Sequence, residues 1–258
     1  MSLMNVIVCV KQIPDPALPG ELDPSTNTLK RDGKLILDES DSYGVEMALQ
    51  LVNTAGEGSV TLVSMAPNDE VSGLRTALAM GAEKAVLVSD PALAGADALT
   101  TAKVLAGAVG KAGDYDLIIA GTESSDGYTG TVPEQMAEVL GLPSVGFAKT
   151  IAVDGSTVKV DRQTEAGYDE VSCSLPAVVS VTAGVVEPRY PSFKGIMAAK
   201  SKPVETVTAA DLGVESVSWA QSISSVEDAP AREAGEIIED DGETFNKIVE
   251  FLDNLKVI

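Results

Sequence analysis

The side chains that most often carry chemistry in proteins are scarce in this sequence. The 258-residue chain has no histidine, so it has no Ser-His or Cys-His nucleophile pair and no His-ligated metal site. Its two cysteines, Cys9 and Cys173, are far apart and form no CxxC redox pair; both lie in predicted strands as packed thiols. None of its 39 Asp and Glu residues stands out as an acid or base. These residues argue against an enzyme that acts alone.

A Gly/Ser/Thr-rich segment, Gly121–Val132, is the best candidate for ligand binding. It follows a predicted strand and leads into a predicted helix, where Thr131 and Glu134 have the Thr-x-x-Glu spacing of a capping box. Backbone N–H groups and the helix dipole favour phosphate at such a helix start, and hydroxyl side chains would add donors. Glycines let the backbone approach a ligand closely. Because no GxGxxG or Walker sequence is present, a plain polar loop remains the alternative.

A second segment, Glu187–Lys202, contrasts with the rest of the chain. The formal net charge of the protein is −21, but this segment has four Lys or Arg and one Glu. Two prolines stiffen its start, and Phe193 then precedes a helix-compatible run over Ile196–Lys200. An exposed aromatic ring among mobile charges is typical of a docking anchor, and a solvated linker is the alternative. If exposed, the four cations Arg189, Lys194, Lys200 and Lys202 should affect the salt dependence of encounter.

Strands and helices alternate four times in the first 143 residues. The predicted strands are Val6–Val10, Val60–Ser64, Lys84–Val88 and Asp116–Ala120; the predicted helices are Ser42–Asn53, Asn68–Met80 with Asn68 as its cap, Asp97–Ala112 and Thr131–Leu140. This order predicts an α/β fold with a doubly wound, mostly parallel, Rossmann-like sheet. Residues 14–38 look irregular, and so long a loop is typical of a functional or interfacial segment.

The pattern changes after Pro143. Three alternating segments, Ser144–Ala152, Thr157–Thr164 and Tyr168–Leu175, predict an antiparallel extension, and the apolar run Ala177–Thr182 should re-enter the main sheet. From Val226 onward the chain has ten Asp or Glu against three Lys or Arg and ends in an apolar helical stripe. We therefore predict an α/β nucleotide-binding domain over residues 4–203, with the antiparallel excursion at 144–175, and an extended C-terminal arm over residues 204–258.

The segment Glu187–Lys202 closely resembles the signature of the electron transfer flavoprotein β subunit. The resemblance extends through Asn5–Asp15, Leu74–Ala82 and Gly121–Gly127, in the same order and over nearly the whole chain. It implies an adenine-nucleotide α-hydrolase-like fold and an electron carrier rather than an enzyme. It also implies a partner α subunit, which holds FAD and is contacted by the arm. Electrons would pass from client acyl-CoA or related dehydrogenases through that FAD toward the respiratory chain.

The resemblance also implies which residues bind AMP and which bind clients. The AMP-binding residues would be Cys9, Asp38, Glu39, Ser40, Asp41, Met65, Gly121, Thr122, Glu123, Ser124, Ser125, Asp126, Gly127, Tyr128, Thr129, Gly130, Thr131 and Val132, where Cys9 and Met65 supply backbone and apolar contact to the adenine. The client-binding residues would be Arg189, Tyr190, Phe193, Lys194, Ile196 and Met197; the family has a leucine at the position of Phe193. Residues 123–125 differ from Gln-Ala-Ile of many relatives, which leaves their contacts open.

The sequence also allows three other functions. A bifurcating β subunit would bind a second FAD in place of AMP, although Val186-Glu187 and residues 123–125 favour the AMP type. An ATP-pyrophosphatase would need a Ser-Gly-Gly-x-Asp-Ser loop where this chain has Lys11–Pro16, and a stand-alone nucleotide sensor would leave the docking segment without a role. The net charge of −21 argues against a nucleic-acid partner. No apolar run reaches the roughly 20 residues of a membrane span and no signal peptide is visible, so we expect a cytoplasmic protein without membrane insertion.

Overall fold

The computed structural model describes residues 3–214, 221–227, 229–231 and 234–258. The chain divides into two compact units, Met1–Ile223 and Ser224–Ile258. The first unit contains strands β1 Met4–Cys9, β2 Gln12–Pro14, β3 Leu35–Leu37, β4 Gly58–Ala66, β5 Lys84–Ser89, β6 Leu117–Gly121, β7 Ser144–Asp154, β8 Thr157–Thr164, β9 Gly167–Ser174, β10 Ala177–Val181 and β11 Val204–Val207. Its helices are α1 Glu39–Ala55, α2 Ser72–Met80, α3 Ala98–Ala112, α4 Val132–Leu140 and α5 Phe193–Ala199; the second unit contains α6 Thr244–Asn254.

The main sheet has the order β11-β5-β4-β1-β6-β10-β7-β8-β9 within the described residues. Neighbouring strands are parallel from β11 to β7, and the last two pairs, β7 with β8 and β8 with β9, are antiparallel. The predicted fold class is therefore confirmed: a doubly wound, mostly parallel α/β sheet with an antiparallel extension. The predicted return of the chain to the main sheet is also present, because β10 lies between β6 and β7.

Helices cover both faces of the parallel part of the sheet. One buried apolar cluster includes side chains of α1 and α2 together with Ala199 of α5, and a second cluster on the other face includes side chains of α3 and α4. The chain runs from β1 outward to β4 and β5, and then continues on the other side of β1 with β6. This reversal creates a crevice at the carboxyl ends of β1 and β6, where open α/β sheets bind ligands.

Two helices begin at other residues than the sequence pattern predicted. Helix α1 begins at Glu39 rather than at Ser42, because the Asp38 carboxylate caps it by accepting the Ser40 N–H at 3.1 Å. Helix α2 begins at Ser72, and Asn68 is not its cap: the Asn68 side chain accepts the N–H of Glu70 at 3.3 Å.

The segment predicted to be irregular contains a short antiparallel pair. Strands β2 and β3 bring Gln12 opposite Leu37, and Leu22 forms an isolated bridge with Leu29 in the connection between the two strands. The pair lies directly between β1 and α1 in the chain. The long connection is therefore anchored at both ends beside the crevice.

The predicted start of the C-terminal arm, at residue 204, is wrong. Val204–Val207 form β11, which pairs in parallel with β5 as part of the main sheet. No sequence pattern indicates this strand, because Val-Glu-Thr-Val is short and half polar. In the second unit, the predicted apolar stripe does form a helix, α6, on which Phe245, Ile248 and Val249 are exposed. No helix among the described residues is long and apolar enough to cross a membrane.

Candidate nucleotide site and docking segment

The segment Gly121–Val132, called the nucleotide loop from here on, lies at the crevice of the sheet. It continues directly from β6 and leads into α4. The end of β1 and the first turn of α1 lie against it, as the contacts below show. The ends of β1 and β6 and the starts of α1 and α4 therefore meet at the carboxyl ends of the central strands.

Asp38 ties the nucleotide loop to the start of α1. Its fully buried carboxylate accepts hydrogen bonds from the backbone N–H of Ser125 at 2.8 Å and from the Ser125 hydroxyl at 3.0 Å. It also accepts the N–H of Ser40 at 3.1 Å and the Ser40 hydroxyl at 2.7 Å. Four donors satisfy its two oxygens, so the main task of Asp38 in this structure is to hold the loop in place.

Asp41 joins the ends of β1 and β6. Its buried carboxylate accepts the backbone N–H of Lys11 at 2.6 Å and that of Gly121. A Cβ atom at Gly121 would lie only 2.9 Å from Asp41 Oδ1, so this position requires glycine. Burial and the nearby Asp38 carboxylate raise the pKa of Asp41 to about 8, although the two N–H donors and the Lys11 charge act in the opposite direction.

We expect Asp41 to make the stability of the protein depend on pH. Its folded-state pKa of about 8 lies above its ordinary value of 3.8, so the stabilisation is complete below pH 3.8 and is lost as the pH rises through 8. The free energy of unfolding in urea should fall by about 1 kcal/mol per pH unit between pH 5 and 8. The Asp41→Asn variant should show a flatter profile, whereas equal slopes in the two proteins would contradict this assignment.

Asp126 binds two cations that the sequence did not single out. Its carboxylate contacts the ammonium group of Lys11 at 2.6 Å and the guanidinium group of Arg31. The Lys11 ammonium also reaches the Ser124 hydroxyl at 3.1 Å, and Arg31 donates to the backbone carbonyl of Gln12 at 3.2 Å. Burial raises the pKa of Asp126, but the two cations outweigh it and hold that pKa below its ordinary value.

The predicted capping box at the start of α4 is absent. Thr131 is the residue before the helix, but its side chain makes no capping bond and instead accepts a hydrogen bond from the Gln135 amide at 3.3 Å. The Glu134 side chain points away from Thr131, toward the backbone of Gly146: a Cβ there would lie 2.7 Å from Glu134 Oε1. Glu134 Oε2 is buried and has no hydrogen-bond partner among the described residues. The backbone donors in the first turn of α4 therefore lack a side-chain cap.

Two of the hydroxyls that we expected to serve a ligand donate within the protein. The Thr122 hydroxyl donates to the Val181 carbonyl at 3.0 Å, and the Ser125 hydroxyl donates to Asp38. Tyr128 and Thr129, at the outer part of the loop, are exposed. The tip of the loop thus keeps free polar groups, while its base is fixed by the protein itself.

Cys9 and Met65 lie on the same face of the sheet, at the ends of the adjacent strands β1 and β4. The Cys9 thiol is buried, lies 3.8 Å from the Met136 sulfur, and has a pKa raised by burial. Cys173 is half-buried and its pKa is also raised by burial. Both thiols are therefore protonated at neutral pH and are packing groups.

The docking segment, Glu187–Lys202, presents an apolar surface. Tyr190 is 94% exposed and Phe193 is 81% exposed; Ile196 and Met197, on the following turn of α5, are about half exposed. The Ser192 hydroxyl caps α5 by accepting the Gly195 N–H at 3.0 Å. The helix therefore begins at Phe193 rather than at Ile196, and it holds these side chains outward.

Two of the four cations in the docking segment are anchored rather than mobile. The Arg189 guanidinium forms an ion pair with buried Glu46 at 2.6 Å. The Lys202 ammonium donates to the carbonyls of Leu78 and Ala82 at the end of α2, at 2.8 and 2.6 Å, and burial lowers its pKa. The head groups of Arg189 and Lys202 are therefore held by the protein rather than mobile, although the Arg189 side chain is 39% exposed; Lys194 and Lys200 are exposed. The effect of these cations on the salt dependence of encounter stays a prediction.

Comparison with known proteins agrees with this architecture. Residues 26–212 match the model of the electron transfer flavoprotein domain. The chain is 40% identical to the electron transfer flavoprotein subunit beta of Mycobacterium bovis over 99% of its length and 100% of that relative's length. It is 41% identical to the protein of the same name from Mycobacterium leprae, with the same coverage. The chain belongs to the electron transfer flavoprotein β-subunit family.

Membership of this family defines the general role of the chain. It is an electron-transfer subunit rather than an enzyme, it works in a complex that involves flavin, and the name subunit beta of its relatives implies an α partner. Another relative, from Acetobacterium woodii, is named as the subunit CarD of a caffeyl-CoA reductase–Etf complex and is 33% identical over 95% of both chains. The family thus includes members that work within larger complexes.

Proposed function

We propose that this chain binds AMP in its nucleotide loop and helps to pass electrons from flavin dehydrogenases, through FAD held mainly by the α subunit, toward the respiratory chain. The observation that carries the AMP proposal is the position of the loop at the reversal point of the sheet, beside the uncapped start of α4. FAD supplies the redox chemistry when bound. The residues of this chain bind the nucleotide, hold the docking segment in position and dock the client dehydrogenase.

The chemistry of the loop fits a nucleoside monophosphate. Lys11 and Arg31 bring two positive charges against the one carboxylate of Asp126, and Asp38 is satisfied by N–H and O–H donors. Backbone donors of α4 remain without a side-chain cap. On the apolar side, the partly buried Met65 would contact the adenine ring, with buried Cys9 in the same apolar cluster.

The proposal is tested by the nucleotide content of the complex. The chain should be co-expressed with its α subunit, and the nucleotides extracted from the purified heterodimer should be quantified. We expect equal amounts of AMP and FAD. Two equivalents of FAD without AMP would instead support the bifurcating β subunit, and a lone monomer that carries adenine nucleotide would support a nucleotide sensor.

Client dehydrogenases are proposed to dock on the segment that exposes Tyr190, Phe193, Ile196 and Met197. Large apolar side chains that are solvent-exposed on one short helix and on the loop just before it are characteristic of a binding surface. The exposed ammonium groups of Lys194 and Lys200 would then guide encounter with an acidic partner surface.

The second unit, Ser224–Ile258, is proposed to bind the α subunit through the exposed apolar side of α6. We expect its amides to exchange hydrogen rapidly in the isolated chain and to be protected in the heterodimer, because the apolar side is then buried. Hydrogen-exchange mass spectrometry of both states measures this, with peptides from β6 as a control that should not change. Equal protection of α6 in both states would contradict the proposal.

A further inference from the structure

An ion pair between buried Glu46 and the partly exposed Arg189 side chain, which is 39% exposed, connects the docking segment to the middle of α1. Glu46 is only 4% exposed, and 143 residues separate it from Arg189 in the chain. Arg189 Nε donates to Glu46 Oε2 at 2.6 Å, and an NH2 group of the same guanidinium donates to Glu46 Oε1 at 3.0 Å. The backbone N–H of Arg189 adds a third bond at 3.3 Å, and the Gln50 amide donates to Glu46 Oε1 at 2.9 Å. The pair therefore fixes both the side chain and the backbone of Arg189.

Stability alone is a poor explanation for this pair. Burial raises the pKa of Glu46, and the bonds from Arg189 and Gln50 are needed to bring it below its ordinary value. Removing the Glu46 carboxylate from water is costly, and an ion pair whose other partner stays partly exposed contributes little net stability. A bidentate Arg–carboxylate contact fixes the direction of both side chains, and an apolar pair does not.

The other end of the docking segment is fixed on α2. Arg75 donates to the carbonyls of Ala199 and Lys202, both at 2.7 Å. At Gly195 the backbones are so close that a Cβ would lie 2.4 Å from the Ala79 carbonyl oxygen. The exposed side chains of Tyr190 and Phe193 thus lie between one anchor on α1 and another on α2.

We infer that Glu46 and Arg189 are positioning residues for client docking: they fix the first part of the docking segment on α1, so that Tyr190 and Phe193 are presented in one preformed arrangement. A preformed surface binds more tightly because less conformational freedom is lost on binding. This inference rests on the proposed docking role of the segment. Neither residue needs to contact the client.

The test separates positioning from stability by removing one or both partners of the pair. In Glu46→Leu the Arg189 charge loses its partner, so the melting temperature should fall. In the double variant Glu46→Leu/Arg189→Met no unpaired charge remains, and the melting temperature should recover. A matched control, Lys111→Met/Glu205→Gln, removes the ion pair between α3 and β11, on the other face of the sheet.

Electron transfer should be measured with heterodimers of each variant and an acyl-CoA dehydrogenase, as a function of heterodimer concentration. We expect the double variant to raise KM about five- to tenfold with kcat unchanged, since a lost ordering of two side chains corresponds to roughly 1 kcal/mol. Hydrogen exchange at residues 189–192 should accelerate, with no change in α2. The control should match the unmodified heterodimer in both readouts.

An unchanged KM in the double variant, together with a restored melting temperature, would overturn the inference, because the pair would then be structural only. The Phe193→Ala variant shows which role fails. If Phe193→Ala, measured in the same series, also leaves KM unchanged, the docking role itself is wrong and the inference fails with it. If Phe193→Ala raises KM but the double variant does not, the docking role stands and only the positioning role is lost.

Discussion

The Phe193→Ala variant is expected to dock client dehydrogenases about ten- to a hundredfold more weakly. The ring is 81% exposed in the structure, so a partner pocket would bury almost all of it. Burial of a phenyl group is worth roughly 1.5–3 kcal/mol, which corresponds to that change in affinity. The KM of the heterodimer in electron transfer from an acyl-CoA dehydrogenase measures the effect.

Two further measurements make this prediction specific. Phe193→Leu should retain most of the affinity, because it keeps a large apolar side chain on the first turn of α5. The melting temperature should be unchanged in both variants, since the side chain has few contacts within its own protein to lose. Unchanged electron transfer together with a lower melting temperature would show that Phe193 packs in its own domain and is no anchor.

The Asp126→Ala variant is expected to lose its nucleotide and part of its stability. Truncation leaves Lys11 and Arg31 without their carboxylate and releases the nucleotide loop from β1 and from the β2–β3 connection. We expect a loss of about 1–3 kcal/mol in the free energy of unfolding, below the value for a fully buried pair because both cations are partly exposed. The AMP content after gel filtration should fall by about tenfold or more.

Two matched variants distinguish the loss of the Asp126 contacts from the loss of a negative charge. Asp126→Asn keeps the shape and one accepting oxygen, so it should lie between the unmodified protein and Asp126→Ala. Asp169→Ala removes an exposed carboxylate of β9 and should change neither readout. Full AMP occupancy in Asp126→Ala, with lower stability, would show that Asp126 supports the fold without serving the nucleotide.

The sequence predicted the fold better than the boundaries of its elements. Apolar periodicity identified the central strands and helices, because buried strands and amphipathic helices leave strong patterns. Helix starts were wrong where a side chain from outside the apolar pattern decides them, as Asp38 does for α1. Strand β11 was missed because a four-residue edge strand with exposed polar side chains leaves almost no pattern.

The place of the nucleotide loop in the fold could be predicted from the sequence, but its internal contacts could not. A Gly/Ser/Thr segment after a strand was enough to put the loop between β6 and α4, and its role in AMP binding stays a prediction. Its partners Lys11 and Arg31 come from other segments, and no spacing in the sequence relates them to Asp126. The predicted Thr131–Glu134 capping box failed for the same reason: the Glu134 side chain turns toward Gly146, a contact that only the folded sheet creates.

The late position of β10 in the chain has a consequence for the order of folding. Strands β5, β4, β1 and β6 are complete at residue 121, but β10, which pairs with β6, begins only at residue 177. Until then one edge of β6 stays open, and the Thr122 N–H and hydroxyl lack their acceptor, the Val181 carbonyl. During synthesis, the Thr122 end of the nucleotide loop is therefore fixed only after the β7–β9 excursion and β10 have been made. Such long-range pairing is slow and leaves an edge prone to aggregation.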